Sequence, residues 1–152
     1  MRRALCRAAA VGRPEMSETL HASTVAIGGR GVMLEGPSGS GKSDLALRLI
    51  DRGAVLVSDD YTVLARSGDT LIASAPPTIA GRIEVRGVGI LPMAIVAQVP
   101  VALLVRLSAE VERLPEPATR SIAGVAIPEI AIDPHQHSAP IKVELALRHL
   151  LE

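Results

Sequence analysis

The sequence has no Phe and no Trp, and only one Tyr and one Cys among its 152 residues. Without aromatic rings, stacking on bases is nearly closed to it, and that is the usual grip on single-stranded nucleic acid. The core has to be packed from Val, Ile, Leu and Ala. Cys6 can form no internal disulfide, which fits a reducing cytoplasm. An excess of charge is also missing, because 16 Lys and Arg balance 16 Asp and Glu. No global basic field therefore draws the chain to nucleic acid or to an anionic membrane. One uncharged stretch, residues 87–105, approaches a membrane span in length, but Pro92, Gln98 and Pro100 divide it. Neither nucleic acid nor membrane is expected as a partner.

What remains is a chain that is 48% hydrophobic and long enough for one buried core. Residues 1–18 read as a flexible tail and 19–152 as the folded domain. The tail begins rich in Arg and Ala, faintly like a targeting segment, but Arg7 interrupts any apolar run, and Met16 offers a second start. "STVAI" and "GVMLE" are strand-like runs joined by the turn "GGRG". Leu45, Ala46, Leu49 and Ile50 then have the spacing of a helix with one buried face, ended near Gly53. "AVLVS" reads as a buried strand and "YTVLARSGDTLIASA" as a hairpin turning at Ser67, Gly68 and Asp69. "APPTIAGRIEVRGVGI" reads as a loop punctuated by Gly and Pro. "VALLVRL" and "GVAIPEIAI" are further strands, the second interrupted at Pro128. A last helix enters near Pro140, with Val143, Ala146, Leu147, Leu150 and Leu151 as its apolar stripe. Many strands and few helices point to an α/β fold with a mixed sheet.

The chemistry is concentrated in "GPSGSGKS": Gly36, Pro37, Ser38, Gly39, Ser40, Gly41, Lys42 and Ser43. This matches G-x-x-x-x-G-K-[ST] between a strand and a helix, the setting a phosphate-binding loop requires. Backbone N–H groups curl around a phosphate there, and the positive end of the helix adds attraction. Lys42 should reach the outer phosphates of a nucleotide, and the Ser43 hydroxyl should ligate Mg²⁺. One helix later, Asp59 and Asp60 close an apolar run, where an Asp can hold Mg²⁺ directly or through water. Adjacent carboxylates on a strand point to opposite sides, but both can serve one site if the strand ends there. A polar turn before a hairpin is the plain alternative. In "EVRGVG", Glu84 and Arg86 fall on one side of an extended segment, where one suits a metal and the other a transferring phosphoryl group. An ordinary surface ion pair is the plain alternative here. His135 and His137 form an H-x-H without a further Cys or His cluster to complete a metal site.

Taken in order, His21, "GPSGSGKSD", "LVSDD", "APPTIAGRIEVRGVGI", "VERL" and the final helix resemble the HPr kinase/phosphorylase family. These enzymes phosphorylate a serine on the phosphocarrier protein HPr. The resemblance spans about residues 20–151, the catalytic domain, as in short members without the separate N-terminal domain. It implies a P-loop kinase fold related to phosphoenolpyruvate carboxykinase, with ATP or pyrophosphate bound along residues 36–43. It further implies Mg²⁺ on Ser43 and Glu84, with Asp59 supporting the metal. Catalytic roles would fall on His21, Lys42, Asp60, Arg86 and Arg113. Asp60 would take the proton from the acceptor serine and return it in the reverse direction. Asp44 stands where the family usually has Glu. Members often carry a "V-x-P-G-R-N"-like loop tied to phosphorolysis, and "IDPHQHSAP" lacks its Arg, so the reverse reaction is expected to be weak. Longer members are hexamers, so a homo-oligomer is compatible with the resemblance. A small-metabolite or nucleotide kinase shares the P-loop but should bring an arginine-rich lid, and a non-catalytic nucleotide sensor would not need both Asp60 and Arg86.

Overall fold

The computed structural model of the protein describes residues 17–150. Residues 1–16, and with them most of the expected tail, lie outside the described residues, as does Leu151. Ser17 and Glu18 do not belong to a tail but open a strand. The elements are β1 (Ser17–Leu20), β2 (Ala22–Ile27), β3 (Arg30–Glu35), α1 (Lys42–Asp51) and β4 (Val55–Ser58). They continue as β5 (Thr62–Ser67), β6 (Thr70–Ser74), β7 (Arg82–Val85), β8 (Gly89–Pro92) and β9 (Val99–Leu107). The chain ends with β10 (Ala118–Ile122), β11 (Val125–Ile132) and α2 (Ala139–His149).

The expected mixed sheet is present. Nine strands join in the order β1-β5-β6-β9-β3-β2-β4, with β11 also on β9 and β10 on β11. β3 runs parallel to β9, and so does β11, while the other pairings are antiparallel. One edge of β9 is shared: β6 pairs with Val99 and Pro100, and β11 takes over from Leu104 to Leu107. The period of two along the strands divides the apolar residues between two cores. Leu103 and Val105 of β9, with Val32 and Leu34 of β3, face α1 and α2. Leu104 and Met33 face the opposite way, into a second core with Leu64, Leu71 and Ile122. α1 enters the first core through Leu45, Ala46 and Leu49, the expected stripe.

Four local readings change. The stretch read as a loop contains the β7–β8 hairpin, anchored by Ile83 in the helix-side core. β10 and β1 were hidden in short, polar sequence that carries no alternating pattern. Pro128 does not interrupt β11, because the ladder to β9 begins only at Glu129 and needs no N–H from it. Leu150 lies beyond the end of α2 and is exposed, so the stripe rests on Val143 and Leu147.

Arg120 of β10 ties the outer hairpin to the base of the phosphate loop. Its guanidinium donates to both carboxylate oxygens of Glu35 (2.6 and 2.7 Å) and to Glu129 (2.7 Å). The bonds to Glu35 raise its pKa, against the opposing effect of burial. Among the described residues, no helix is long and apolar enough to cross a membrane.

Two leucines of one helix check this packing. Leu147 is 4% exposed and Leu145 51% exposed. Leu147→Ala should cost about 2–5 kcal/mol in chemical denaturation, whereas Leu145→Ala should stay within about 0.5 kcal/mol of the parent.

Candidate active site

The phosphate loop leaves the end of β3 and turns through residues 36–41 before α1 begins. Ser40 N–H donates to Pro37 O at 3.0 Å, closing the first turn. At the helix entry Gly41 has φ 105, a conformation that a side chain would strain. A Cβ on Gly36 would fall 2.4 Å from Ser40 Oγ. Both glycines are therefore required by geometry.

Lys42, only 4% exposed, lies under this loop. Its ammonium donates to Pro37 O at 3.1 Å and sits 3.5 Å from Asp60 Oδ1. Ser43 Oγ, one residue on, donates to Asp59 Oδ1 at 2.6 Å. Asp59 is itself buried and accepts two further bonds: from Ser23 Oγ onto Oδ1 at 2.9 Å and from Glu84 N–H onto Oδ2 at 3.0 Å. A buried carboxylate needs such donors, since charged hydrogen bonds compensate its lost hydration.

The strand β4 does end at Ser58, and the next two residues separate. Asp60 has φ 69, and Tyr61 N–H returns to Asp59 O at 2.8 Å. This is the rarer γ-turn, with positive φ at its centre. It swings Asp60 toward the cleft while Asp59 stays inside. Asp60 Oδ1 is 2.8 Å from His21 Nε2, and because a carboxylate only accepts, Nε2 carries the proton. The His21 ring stacks on Tyr61, with centroids 4.8 Å apart and planes 13° from parallel.

These groups border a cleft of about 530 Å³. One wall is the β7–β8 hairpin, which presents Glu84, Val85 and Arg86. The other is the turn after β11, with Pro134 and His135. Arg48 of α1 holds that turn by donating to Pro134 O and to Gln136 O (3.3 Å), and it pairs with Asp44 at 3.1 Å.

The structure thus gathers Ser38, Gly39, Gly41, Lys42, Ser43, Asp60, Glu84 and Arg86 around one cleft. Asp59 and His21 stand directly behind it. Arg113 is not brought there. It lies on the exposed segment 108–117 between β9 and β10, which no strand pairing holds against the cleft. Sequence reasoning missed Ser23, Tyr61, Arg48 and the cleft-lining position of His135. Arg48 alone left a signal, its i,i+4 spacing from Asp44.

The donors suit the groups expected here. Ser43, Asp59 and Glu84 offer only oxygen, the preference of Mg²⁺. No three acidic, His or Cys side chains converge on one point among the described residues. A Mg²⁺ ion would then complete its shell with phosphate oxygens and water, as this ion commonly does. The glycine-rich loop beside a buried ammonium suits a triphosphate.

Comparison with known proteins agrees with this geometry. Residues 15–148 match the family described as HPr Serine kinase C-terminal domain. The HPr kinase/phosphorylase of Chlorobium phaeobacteroides is 37% identical over 93% of this chain and 47% of its own length. That of Limosilactobacillus reuteri is 35% identical over 76% of this chain and 40% of its own length. The chain spans about half the length of the curated relatives it matches. The solved structure of the Hpr(Ser) kinase/phosphatase from Coxiella burnetii superposes with a TM-score of 0.77 at 33% identity. It covers 88% of this chain and 96% of that one. A phosphate loop, an acidic strand end and a Glu–Arg hairpin in this order, on this fold, make the chain a member of the HPr serine kinase C-terminal domain family.

Proposed function

We propose that this chain transfers the γ-phosphoryl group of ATP to a serine of an HPr-type phosphocarrier, in the cytoplasm. The observation that carries the proposal is the division of labour at the end of β4. Asp59 is committed to Ser43 at 2.6 Å, whereas Asp60 faces the cleft 3.5 Å from the Lys42 ammonium.

In this reading the loop from Gly36 to Ser43 holds the phosphates, and Lys42 offsets their charge. Ser43 and Glu84 would hold Mg²⁺, with Asp59 orienting Ser43. When bound, the metal neutralises charge on the phosphate oxygens. The acceptor serine gives its proton to Asp60 as its oxygen bonds to phosphorus. The bond from that phosphorus to the bridging oxygen breaks, and ADP leaves. Arg86, across the cleft from the loop, stabilises charge on the group in transit. His21 keeps Asp60 oriented through the 2.8 Å contact. Arg113 has no part in the cleft of the single chain, and the role implied for it would require segment 108–117 to come over the bound acceptor.

Two experiments test the reading. Asp60→Asn is nearly isosteric but cannot take the proton, so turnover with an HPr acceptor should fall by about 10²–10⁴-fold. Affinity for ATP should change little, whereas Asp59→Asn should lose activity that raised Mg²⁺ partly restores. Exchange of these two behaviours would exchange the roles of the two residues.

The second experiment concerns the wall formed by the turn after β11, which lacks the arginine associated with phosphorolysis. Phosphorylated HPr and inorganic phosphate should release pyrophosphate much more slowly, relative to kinase turnover, than with members that keep that arginine. Efficient release would assign the reverse reaction to other residues.

A further inference from the structure

We propose that Ser23 is a positioning residue which, through one hydroxyl, sets the different orientations of Asp59 and Asp60. The inference rests on the proposed roles of those two residues and adds what holds them apart.

Ser23 lies in β2, between β3 and β4, and is fully buried. A hydroxyl can donate once and still accept. Here both capacities are used, and on adjacent residues. Oγ donates to Asp59 Oδ1 at 2.9 Å and accepts the Asp60 N–H at 2.9 Å. The second bond falls at the centre of the turn, on the residue with φ 69. A non-glycine residue in that conformation is strained and persists only where its surroundings fix it. The first bond holds the Asp59 carboxylate inward, beside Ser43. One oxygen atom therefore pins the inward carboxylate and the strained amide that sends the next carboxylate outward.

The surroundings are polar and equally committed. Thr24 and Thr62 pair through their hydroxyls at 2.8 Å, and Thr62 is also bonded to Ala22 O at 2.8 Å. Ser58 Oγ donates to Tyr61 O. Within this buried hydroxyl layer only Ser23 touches both acidic residues. Alanine at position 23 would leave the Asp60 N–H without its acceptor, and the turn could relax toward an ordinary extended strand. A displacement of about 1 Å at a reacting group can cost about 100-fold in rate.

The test combines kinetics with amide exchange on the intact chain. In the parent protein the Asp60 amide should exchange with solvent much more slowly than an unstructured amide, and in Ser23→Ala that protection should vanish. The same variant should lower kcat about 10- to 100-fold while KM for ATP stays within about threefold. Ser23→Thr, which keeps the hydroxyl, should restore most of the turnover. On an Asp60→Asn background, Ser23→Ala should cost clearly less than it does alone, because the part of its effect that passes through the Asp60 carboxylate is already lost. An unprotected Asp60 amide in the parent would overturn the proposal without any variant having to fold. So would a folded Ser23→Ala with normal kcat, or an equal rate loss on both backgrounds. Normal turnover of Asp60→Asn alone would instead remove the proton-acceptor role proposed for Asp60, leaving the amide result to judge the hold by Ser23.

Discussion

The Asp59 carboxylate is the interaction on which the arrangement of the site depends. It is buried, and its three donors come from three separate parts of the chain: Ser23 in β2, Ser43 in α1 and the Glu84 amide in β7. Hydrogen bonds to a charged group contribute about 1.5–3 kcal/mol each, and a buried charge that loses them pays its full desolvation cost. The phosphate loop and the β7–β8 hairpin are therefore drawn to a common point by an ion that cannot afford to release either. His21, Lys42, Asp60 and Arg86 each lie within one or two residues of those three attachments or of Asp59 itself.

Rigid support comes from the sheet behind it. β3 delivers the loop and β9 runs parallel beside it, both filled on alternate faces by Val, Leu and, in β3, Met33. The Arg120–Glu35 contact fastens the last residue of β3, immediately before the loop begins. The opposite wall depends on fewer contacts. The turn after β11 is held to α1 by Arg48, and a Cβ on Gly41 would come 3.4 Å from Pro134. The two walls are thus fixed by different physics: a buried carboxylate on one side, and a half-exposed guanidinium gripping backbone carbonyls on the other.

Much of this was legible in the sequence wherever the cause is local. The phosphate loop can be read because its glycines and lysine meet one ligand within eight residues, and the helix after it because its apolar spacing is regular. Asp59 and Asp60 were legible as a pair, since they close an apolar run one helix after the phosphate loop, where an Asp can serve the metal. The β7–β8 hairpin was not, because the glycines that turn it also mimic a loop. Ser23 was not legible either. Its partners lie 36 and 37 residues away, and nothing in "HASTVAI" distinguishes a serine that orders a catalytic turn from one filling a strand. Arg113 is the converse case, for the order of "VERL" along the chain does not by itself say where the exposed segment 108–117 sits, and in the single chain it lies outside the cleft.

The scarcity of aromatic rings has one more consequence. Tyr61 is the only Tyr in a chain without Trp, and it stacks on the imidazole that contacts Asp60. Ultraviolet emission, and circular dichroism from an aromatic ring, therefore arise at one position, beside the proposed proton acceptor. The molecule carries its own optical reporter, and a change in tyrosine emission on adding an acceptor protein free of Tyr and Trp, or a nucleotide once the absorbance of its base is corrected for, can be traced to that ring without a label.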